Sequence, residues 1–239
     1  MIKIKIAGIP IAIHNRFDYF SDFARDYFTD EEPELVICPT DEDFLREREL
    51  IGDPNMPEEH LELTIIYRMI ATHLHKYDAI IFHGAVIEHE GVAYAVTAHS
   101  GVGKTTHIRL WLREFGDSVR VLNGDKPILR LIDGKIYACG TPWRGKERYG
   151  VNCMRPLGGI GFLKRGEVNR AFRTTPSEVS VRFMNQIYLD KTNALSLTKN
   201  LRLANSVLTG VPIYELECNM DPEAAHVAYG AFVGGKDTI

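Results

Sequence analysis

The chain has 239 residues, 45% of them apolar and 25% charged, a balance typical of a globular protein that buries one sizeable core. Its net charge of −4 argues against binding to nucleic acid or to an anionic membrane surface. No apolar run comes near the roughly 20 residues that span a bilayer, and the first residues lack the pattern of a signal peptide.

The cysteines are scattered and form no CxxC pair, as expected for a protein with reduced thiols and no zinc site. They are Cys38, Cys139, Cys153 and Cys218. Together with the charge and the lack of an apolar span, this pattern predicts a cytoplasmic protein with neither nucleic acid nor a membrane as a partner.

Short apolar strands alternate with helical patterns from the start of the chain, which favours an α/β fold. Residues 2–7 and 35–38 have the pattern of strands, and the aromatic residues between them have the spacing of an amphipathic helix. A firmer helix is predicted to begin at Pro57, with one apolar face. That face consists of Leu63, Ile66, Tyr67, Ile70 and Leu74.

A hairpin is predicted next, with a strand from Ile80 to Ile87, a turn at residues 88–91 and a return strand over residues 92–97. Pairing of Ile87 with Val92 would place His83 opposite Val96. A second hairpin follows at Asp133-Gly134, because Asp-Gly between two apolar strands is a strong signal for a type I′ turn.

Three further elements are predicted from local signals. Residues 119–122 have the apolar run of a buried strand. Residues 175–178, Thr-Pro-Ser-Glu, form a capping box with proline at the first helical position, and Asp221-Pro222 marks another helix start.

The segment 98–105 reads Ala-His-Ser-Gly-Val-Gly-Lys-Thr and fits the relaxed P-loop pattern [AG]-x4-G-K-[ST]. Gly101 and Gly103 let the backbone turn its N–H groups around anionic oxygens without a Cβ in the way. Lys104 would supply a charge to the β- and γ-phosphates, and Thr105 would ligate Mg²⁺. The residues expected to contact the nucleotide are Ser100, Gly101, Val102, Gly103, Lys104, Thr105 and Thr106.

The surroundings of this loop support the same interpretation. A predicted strand precedes it, and the helix that follows would direct its N-terminal dipole at the phosphates. The NKxD pattern of guanine-specific GTPases is absent, because Asn123-Gly124-Asp125-Lys126 has those letters in a different order. ATP with Mg²⁺ is therefore the expected cofactor pair, and residues 1–55 are expected to elaborate a nucleotide-binding core of residues 56–239 within one domain.

Asp125 and His83 are the candidate catalytic residues besides Lys104. Asp125 follows the strand at 119–122, and the carboxyl ends of strands face the ligand in open α/β sheets. There it would hold the metal, accept a proton from a hydroxyl, or both. The competing interpretations are a turn-forming aspartate and a histidine satisfied within the sheet.

A basic cluster follows at Trp143-Arg144-Gly145-Lys146-Glu147-Arg148, with Asn152 and Arg155 nearby. Arg144, Lys146 and Arg148 are candidate contacts to a phosphate or an anionic substrate. A solvated surface loop explains the same composition equally well.

These motifs resemble those of the HPr kinase/phosphorylase family, whose P-loop domain is itself similar to that of PEP carboxykinase. The resemblance rests on His83-Gly84 and on Ser100-Gly101-Val102-Gly103-Lys104, and it extends through Asn123-Gly124-Asp125-Lys126-Pro127 and residues 140–147. The last two motifs look more like those of small, uncharacterised HPr-kinase-like proteins. The resemblance covers residues from about 60 to 190.

The resemblance implies an α/β fold with a P-loop-containing mixed sheet of the HPr kinase and PEP carboxykinase type, flanked by helices. It implies an ATP- and Mg²⁺-dependent kinase that phosphorylates a hydroxyl, such as a serine of a protein, a peptide or a small molecule, and by analogy a homo-oligomer. Carried over, Asp125 would be the catalytic acid/base, His83 would assist it, and Lys104 and Thr105 would hold phosphate and metal.

Two departures from the family keep alternatives open. The family often has adjacent aspartates where this chain has Gly124-Asp125, and its Gly-rich segment for docking HPr is not found here. A non-catalytic nucleotide-binding sensor is therefore one alternative to a kinase. A PEP-carboxykinase-like phosphoryl transfer is a second, although the additional metal ligands that it needs are not recognisable.

Overall fold

The computed structural model describes residues 1–235, in which two β-sheets and seven α-helices form a mixed α/β protein. The strands are β1 (Ile2–Ile6), β2 (Ile9–Ile13), β3 (Leu35–Ile37), β4 (Ala79–Ile81), β5 (Ala85–His89), β6 (Val92–Thr97), β7 (Val119–Asn123), β8 (Ile128–Ile132), β9 (Lys135–Cys139), β10 (Met154–Arg165), β11 (Arg170–Arg173) and β12 (Ile213–Cys218). The helices are α1 (Asp18–Phe23), α2 (Asp41–Ile51), α3 (Glu58–His73), α4 (Lys104–Phe115), α5 (Pro176–Met184), α6 (Ala194–Gly210) and α7 (Glu223–Gly234).

The larger sheet has the order β4-β8-β9-β10-β6-β5-β7, and β12 pairs with both β10 and β11. Strands β6 and β10 are parallel, as are β10 and β12. Because β5 is antiparallel to both β6 and β7, the latter two strands run in the same direction. The carboxyl ends of β6, β7 and β10 therefore lie at one edge of this sheet.

Both faces of the larger sheet are covered by helices, which bury the apolar side chains that the strands present. Helices α5 and α6 contribute Phe183 and Val207 to the core on one face. Helices α4 and α7 contribute Trp111 and Phe232 to the core on the other face. The mixed α/β architecture predicted from the sequence is confirmed, while the HPr kinase and PEP carboxykinase type stays a prediction.

The N-terminal unit, residues 1–55, has its own small sheet, in which β1 and β2 are antiparallel and β2 and β3 parallel. Its apolar face shares a core with α3 and with the β4 side of the larger sheet. That core includes Ile4, Ile11, Phe20, Ile66, Ile70, Ile81 and Ile128. The N-terminal unit is thus packed against the elements that follow it.

The predicted single strand from Ile80 to Ile87 is wrong. Its first part is β4, which pairs with β8, and its last part is β5, which pairs with β6. Between them Phe82 packs against Phe183, and a Cβ on Gly84 would lie 2.4 Å from the Phe82 ring. The chain changes its strand neighbour at this point because only glycine allows so close an approach.

The predicted pairing within the first hairpin is also wrong. The turn comprises only Glu90 and Gly91, both with positive φ, and not residues 88–91. Ile87 therefore pairs with Tyr94 instead of Val92, and Val96 lies opposite Ala85 instead of His83. Two-residue turns of this conformation match the twist of the flanking strands, which explains why the tighter turn forms.

The other local predictions agree with the structure. Asp133 and Gly134 have φ values of 47° and 76°, and they join β8 to β9 as a hairpin. The predicted capping box is present at the start of α5, where the backbone N–H of Thr175 donates to Glu178 Oε2 at 2.9 Å. Helices α3 and α7 begin directly after Pro57 and Pro222.

Candidate active site

The Gly-rich loop, residues 98–103, connects the carboxyl end of β6 to the amino end of α4. Gly101 and Gly103 have φ values of 80° and 132°, which side chains with a Cβ rarely adopt. Helix α4 begins at Lys104, and the first turn of any helix leaves its N–H groups without intrahelical acceptors. The loop and this turn together form an arrangement that suits an anion.

Lys104 is half-buried, and its amine donates a hydrogen bond to the carbonyl of Ala98 at 3.0 Å, closing the loop on itself. Burial lowers the pKa of Lys104, the negative charge of Asp125 opposes that shift, and the positive charge of Lys126 adds to it. An amine that is incompletely solvated gains more from a bound anion than an exposed one does. Lys104 therefore lies at the junction of the loop and α4, and its role as a phosphate-binding lysine stays a prediction.

Thr105 and Thr106 lie half-buried in the first turn of α4, and Ser100 lies exposed on the loop. Val102 donates its backbone N–H to the carbonyl of His99 at 3.3 Å, which shapes the turn between the two glycines. The predicted nucleotide-contacting residues thus lie on the loop and the first turn of α4.

Asp125 lies two residues beyond β7, and buried Asn123 fixes its position. Asn123 Oδ1 accepts hydrogen bonds from the backbone N–H groups of Asp125 (2.9 Å) and Lys126 (2.8 Å). Its Nδ2 donates to the carbonyl and hydroxyl oxygens of Thr141, both at 3.1 Å. The hydroxyl of Thr141 in turn donates to the carbonyl of Lys126 at 2.7 Å.

His83 and Asp125 come together as predicted, although not through the predicted strand pairing. His83 Nε2 lies 3.5 Å from Asp125 Oδ1, which is long for a hydrogen bond. The backbone supports this contact, since Gly84 N–H donates to the Asp125 carbonyl at 3.1 Å. The carbonyl of His83 accepts from the Thr97 hydroxyl at 2.8 Å, which ties the pair to the end of β6.

The charges around Asp125 keep its carboxylate ionised. Burial raises the pKa of Asp125, but the contact with His83 and the charges of Lys126, His83 and Lys104 outweigh it, so that the pKa is lowered. Lys126 Nζ lies 3.8 Å from Asp125 Oδ1. The carboxylate is therefore available at neutral pH as a proton acceptor or a metal ligand.

Gly124 is closely packed at the position where the family resemblance would place a second carboxylate. A Cβ at this position would lie 3.0 Å from the carbonyl of Arg144 and 3.3 Å from Cβ of Tyr149. Both atoms belong to the segment 143–150, which packs directly on Gly124. An aspartate would require these atoms to shift by a few tenths of an ångström.

Some residues of the basic cluster form contacts within the protein, and others are exposed. Arg144 Nη2 lies 2.9 Å from Asp26 Oδ2, and this ion pair links the cluster to the N-terminal unit. Asn152 Nδ2 donates to the carbonyl of Asp26 at 3.2 Å. Lys146 and Arg148 are exposed, and Arg148 has a positive φ of 54°. Arg144 and Arg148 line the same cavity as Asp125, whereas Arg155 lies 4.0 Å from Glu88.

Sequence reasoning missed Arg165, which lies at the carboxyl end of β10. Its guanidinium donates to the carbonyls of Gly101 at 2.6 Å and Val102 at 3.2 Å and so holds the Gly-rich loop. The available signal was a pair of cations, Lys164 and Arg165, directly after an apolar strand that ends at the ligand-binding edge.

Tyr67 was also missed, because its spacing marks only the apolar face of α3. Burial and the negative charge of Asp125 raise the pKa of Tyr67, so its hydroxyl stays protonated. It lines the same cavity as Asp125. Nothing in the sequence separates Tyr67 from its apolar neighbours on the helix.

Three cavities surround these residues. Two are lined by the Gly-rich loop and have volumes of ≈ 490 Å³ and ≈ 460 Å³; the first is also lined by Arg182 and Gln186, and the second by Thr106 and Asn219. The third, of ≈ 940 Å³, is lined by Asp125. The Gly-rich loop and Asp125 thus line different cavities at the same edge of the sheet.

No protein-family model matches this chain, and no curated protein matches it. Among solved structures, the HPr(Ser) kinase/phosphatase from Coxiella burnetii is similar over 65% of this chain and 94% of that one, with 11% identity and a TM-score of 0.35. A TM-score of 0.35 does not assign this chain to that family. Within residues 1–235, no helix is both long and apolar enough to cross a membrane.

Proposed function

We propose that this chain is a phosphotransferase that moves the γ-phosphoryl group of ATP to a hydroxyl group, with Mg²⁺ as the metal. The observation that carries the proposal is that one sheet edge holds both Lys104 on its Gly-rich loop and the Asp125–His83 pair. A loop suited to phosphate beside an ionised carboxylate is the arrangement that phosphoryl transfer needs.

The Gly-rich loop would bind the triphosphate. Gly101 and Gly103 supply backbone that no Cβ obstructs, and Lys104 supplies a positive charge that burial makes more responsive to an anion. Arg165 would keep the loop in shape through its two carbonyl contacts. Ser100, Val102 and Thr106 complete the proposed contact surface.

Asp125 would act as the base. The acceptor's hydroxyl oxygen bonds to the γ-phosphorus, the bond from that phosphorus to the bridging oxygen of the departing ADP breaks, and the hydroxyl proton passes to Asp125. The lowered pKa keeps Asp125 ionised before the reaction. His83, 3.5 Å away, would stabilise the carboxylate and hold its direction.

Thr105 and Asp125 are the residues that fit a Mg²⁺ ion, because a hydroxyl and a carboxylate are oxygen ligands. Within residues 1–235, no group of three or more His, Cys, Asp or Glu side chains is placed to hold a metal. The pair of Thr105 and Asp125 suits Mg²⁺, which commonly binds one or two carboxylates together with phosphates and water. When bound, the ion neutralises phosphate charge.

A non-catalytic nucleotide sensor is the second candidate function, and one observation favours it. Residue 124 is a glycine packed against segment 143–150, so Asp125 stands alone where a pair of carboxylates would bind metal more strongly. A sensor of this kind would bind ATP without releasing ADP in the presence of any acceptor.

The substitution Asp125→Asn tests the proposal, with Asp117→Asn at an exposed position as a matched control. Loss of a general base predicts a fall in turnover of about 10²- to 10⁴-fold. ATP affinity measured without Mg²⁺ should change by less than about threefold, because Asp125 is proposed to contact the metal and the acceptor hydroxyl and not the phosphates. Unchanged turnover would remove Asp125 from the mechanism, and a wild type that binds ATP without any turnover would favour the sensor.

A further inference from the structure

The largest of the three cavities, ≈ 940 Å³, lies between the N-terminal unit, α3 and the residues that follow β7 and β9. Asp125 and Lys126 belong to its lining, and more than half of the lining comes from residues before 68. Its volume falls within the range of about 300–1,000 Å³ that is usual for small-molecule sites.

One wall of this cavity is a platform of aromatic rings. Trp143 contacts Phe23 and Tyr67 edge to face, at centroid distances of 5.9 Å and 5.4 Å. Trp143 also packs against buried Phe20, which anchors the platform to the shared core. Rings held against one another in this way present a rigid surface for an apolar or planar ligand body.

The charges in the cavity leave a positive excess. Arg144 is neutralised by Asp26 at 2.9 Å, and Lys126 lies 3.8 Å from Asp125. Within residues 1–235, neither Arg25 nor Arg148 forms an ion pair with a carboxylate. These two guanidinium groups face a single further acid in the lining, Asp22, so the cavity favours an anionic ligand.

The turn that carries Arg148 lies against Asp125. Its φ of 54° is unusual for a residue with a side chain, and a hydrogen bond from its N–H to the Gly145 carbonyl at 3.2 Å maintains it. Gly145 itself lies against Asp125, since a Cβ there would lie 3.1 Å from Cβ of Asp125.

We infer that the acceptor is a small organic molecule that carries a hydroxyl, an aromatic or apolar body and an anionic group, and that it binds in this cavity. Arg25 and Arg148 bind the anionic group of this molecule. The platform of Phe23, Tyr67 and Trp143 contacts its apolar or aromatic body, and the Asp125 carboxylate accepts a hydrogen bond from its hydroxyl. This inference rests on the proposed function. A concave site lined by two parts of the chain suits a small ligand of this kind better than it suits a folded protein as the acceptor.

Three matched probes test the charge selectivity of the cavity: 3-(4-hydroxyphenyl)propionate, 4-ethylphenol and tyramine. They share a hydroxyl-bearing ring and differ in carrying a carboxylate, no charge or an ammonium group. Calorimetric titration of the full chain in the presence of a non-hydrolysable ATP analogue and Mg²⁺ should show the carboxylate binding at least about tenfold more tightly than the other two.

The substitutions Arg148→Ala and Arg25→Ala should each weaken carboxylate binding by about tenfold and leave 4-ethylphenol binding unchanged. Arg202→Ala, at an exposed position on α6, serves as the control and should change neither. Equal binding of the three probes, a preference for tyramine, or no binding of any probe contradicts the inference.

A separate ATP titration distinguishes failure of the inference from failure of the proposed function. ATP binding and turnover on a serine-containing peptide, with no selectivity for the carboxylate probe, would reject the small-molecule acceptor alone. Carboxylate selectivity without ATP binding would retain the cavity as a ligand site and reject the phosphotransferase.

Discussion

Asn123 is expected to determine where Asp125 lies, and Asn123→Ala tests this. The side chain of Asn123 is fully buried and makes four hydrogen bonds, two to the N–H groups of Asp125 and Lys126 and two to Thr141. At about 0.5–1.5 kcal/mol for each bond, their loss amounts to about 2–6 kcal/mol. Because Asp125 and Lys126 are only half-buried, water can replace the two bonds to their N–H groups, and the two lost bonds to Thr141 leave an expected loss of about 1–3 kcal/mol.

Urea unfolding with linear extrapolation measures this loss, with Asn152→Ala as the control. Asn152 is exposed and makes one hydrogen bond to the Asp26 carbonyl, so its replacement should cost less than about 0.5 kcal/mol. Turnover of Asn123→Ala should fall by about 10²-fold, since a carboxylate misplaced by about 1 Å loses its alignment with the acceptor. A stability loss below about 1 kcal/mol together with unchanged turnover would refute the positioning role.

Three other outcomes are expected. Gly124→Asp should destabilise the protein by about 1–3 kcal/mol in urea unfolding without raising turnover, because its Cβ would lie 3.0 Å from the Arg144 carbonyl; a more active variant would contradict this. Arg165→Ala should raise the KM for ATP by about threefold to tenfold with a smaller change in kcat, because the loop loses two carbonyl contacts; an unchanged KM would exclude Arg165 from shaping the loop. Burial lowers the pKa of Lys104 from its ordinary 10.5, so its positive charge is lost at a lower pH than the charge of an exposed lysine. As the pH is raised, ATP affinity measured by calorimetry should therefore begin to fall before pH 10.5 is reached in the wild type but not in Lys104→Arg. Identical pH profiles of the two proteins would argue against a phosphate contact.

The local elements were predictable where one short signal determines the conformation. Asp133-Gly134 defined a turn, the capping box at Thr175 defined a helix start, and the spacing of two glycines before Lys104 defined a loop between a strand and a helix. In each case the structure depends on backbone preferences within a few residues.

The route from Ile80 to Ile87 could not be predicted from local signals, because it depends on tertiary contacts. The break at Gly84 follows from the position of the Phe82 ring, which is set by Phe183 about a hundred residues later. The proximity of His83 and Asp125 was nevertheless predicted. The hydrogen bonds of His83 N–H to Gln186 and of Gly84 N–H to Asp125 create that proximity, and not the strand pairing assumed for it.

The cavity beside Asp125 likewise lay beyond sequence reasoning. Phe23, Arg25 and Tyr67 precede the Gly-rich loop by tens of residues, and they reach Asp125 only because the N-terminal unit packs on α3. Sequence patterns describe the faces of single elements, whereas this wall arises from the packing of several elements together.

Calorimetric titration with ATP and Mg²⁺ tests the central claim most directly. The wild type is compared with Lys104→Ala and with the exposed control Lys191→Ala, and ADP release is followed in the same samples. The proposed phosphotransferase predicts that the wild type and Lys191→Ala bind ATP and release ADP, and that Lys104→Ala loses at least about tenfold in affinity because its charge-assisted contact is gone. Absence of ATP binding in the wild type, or equal binding by Lys104→Ala, would contradict the assignment of the Gly-rich loop as the nucleotide site.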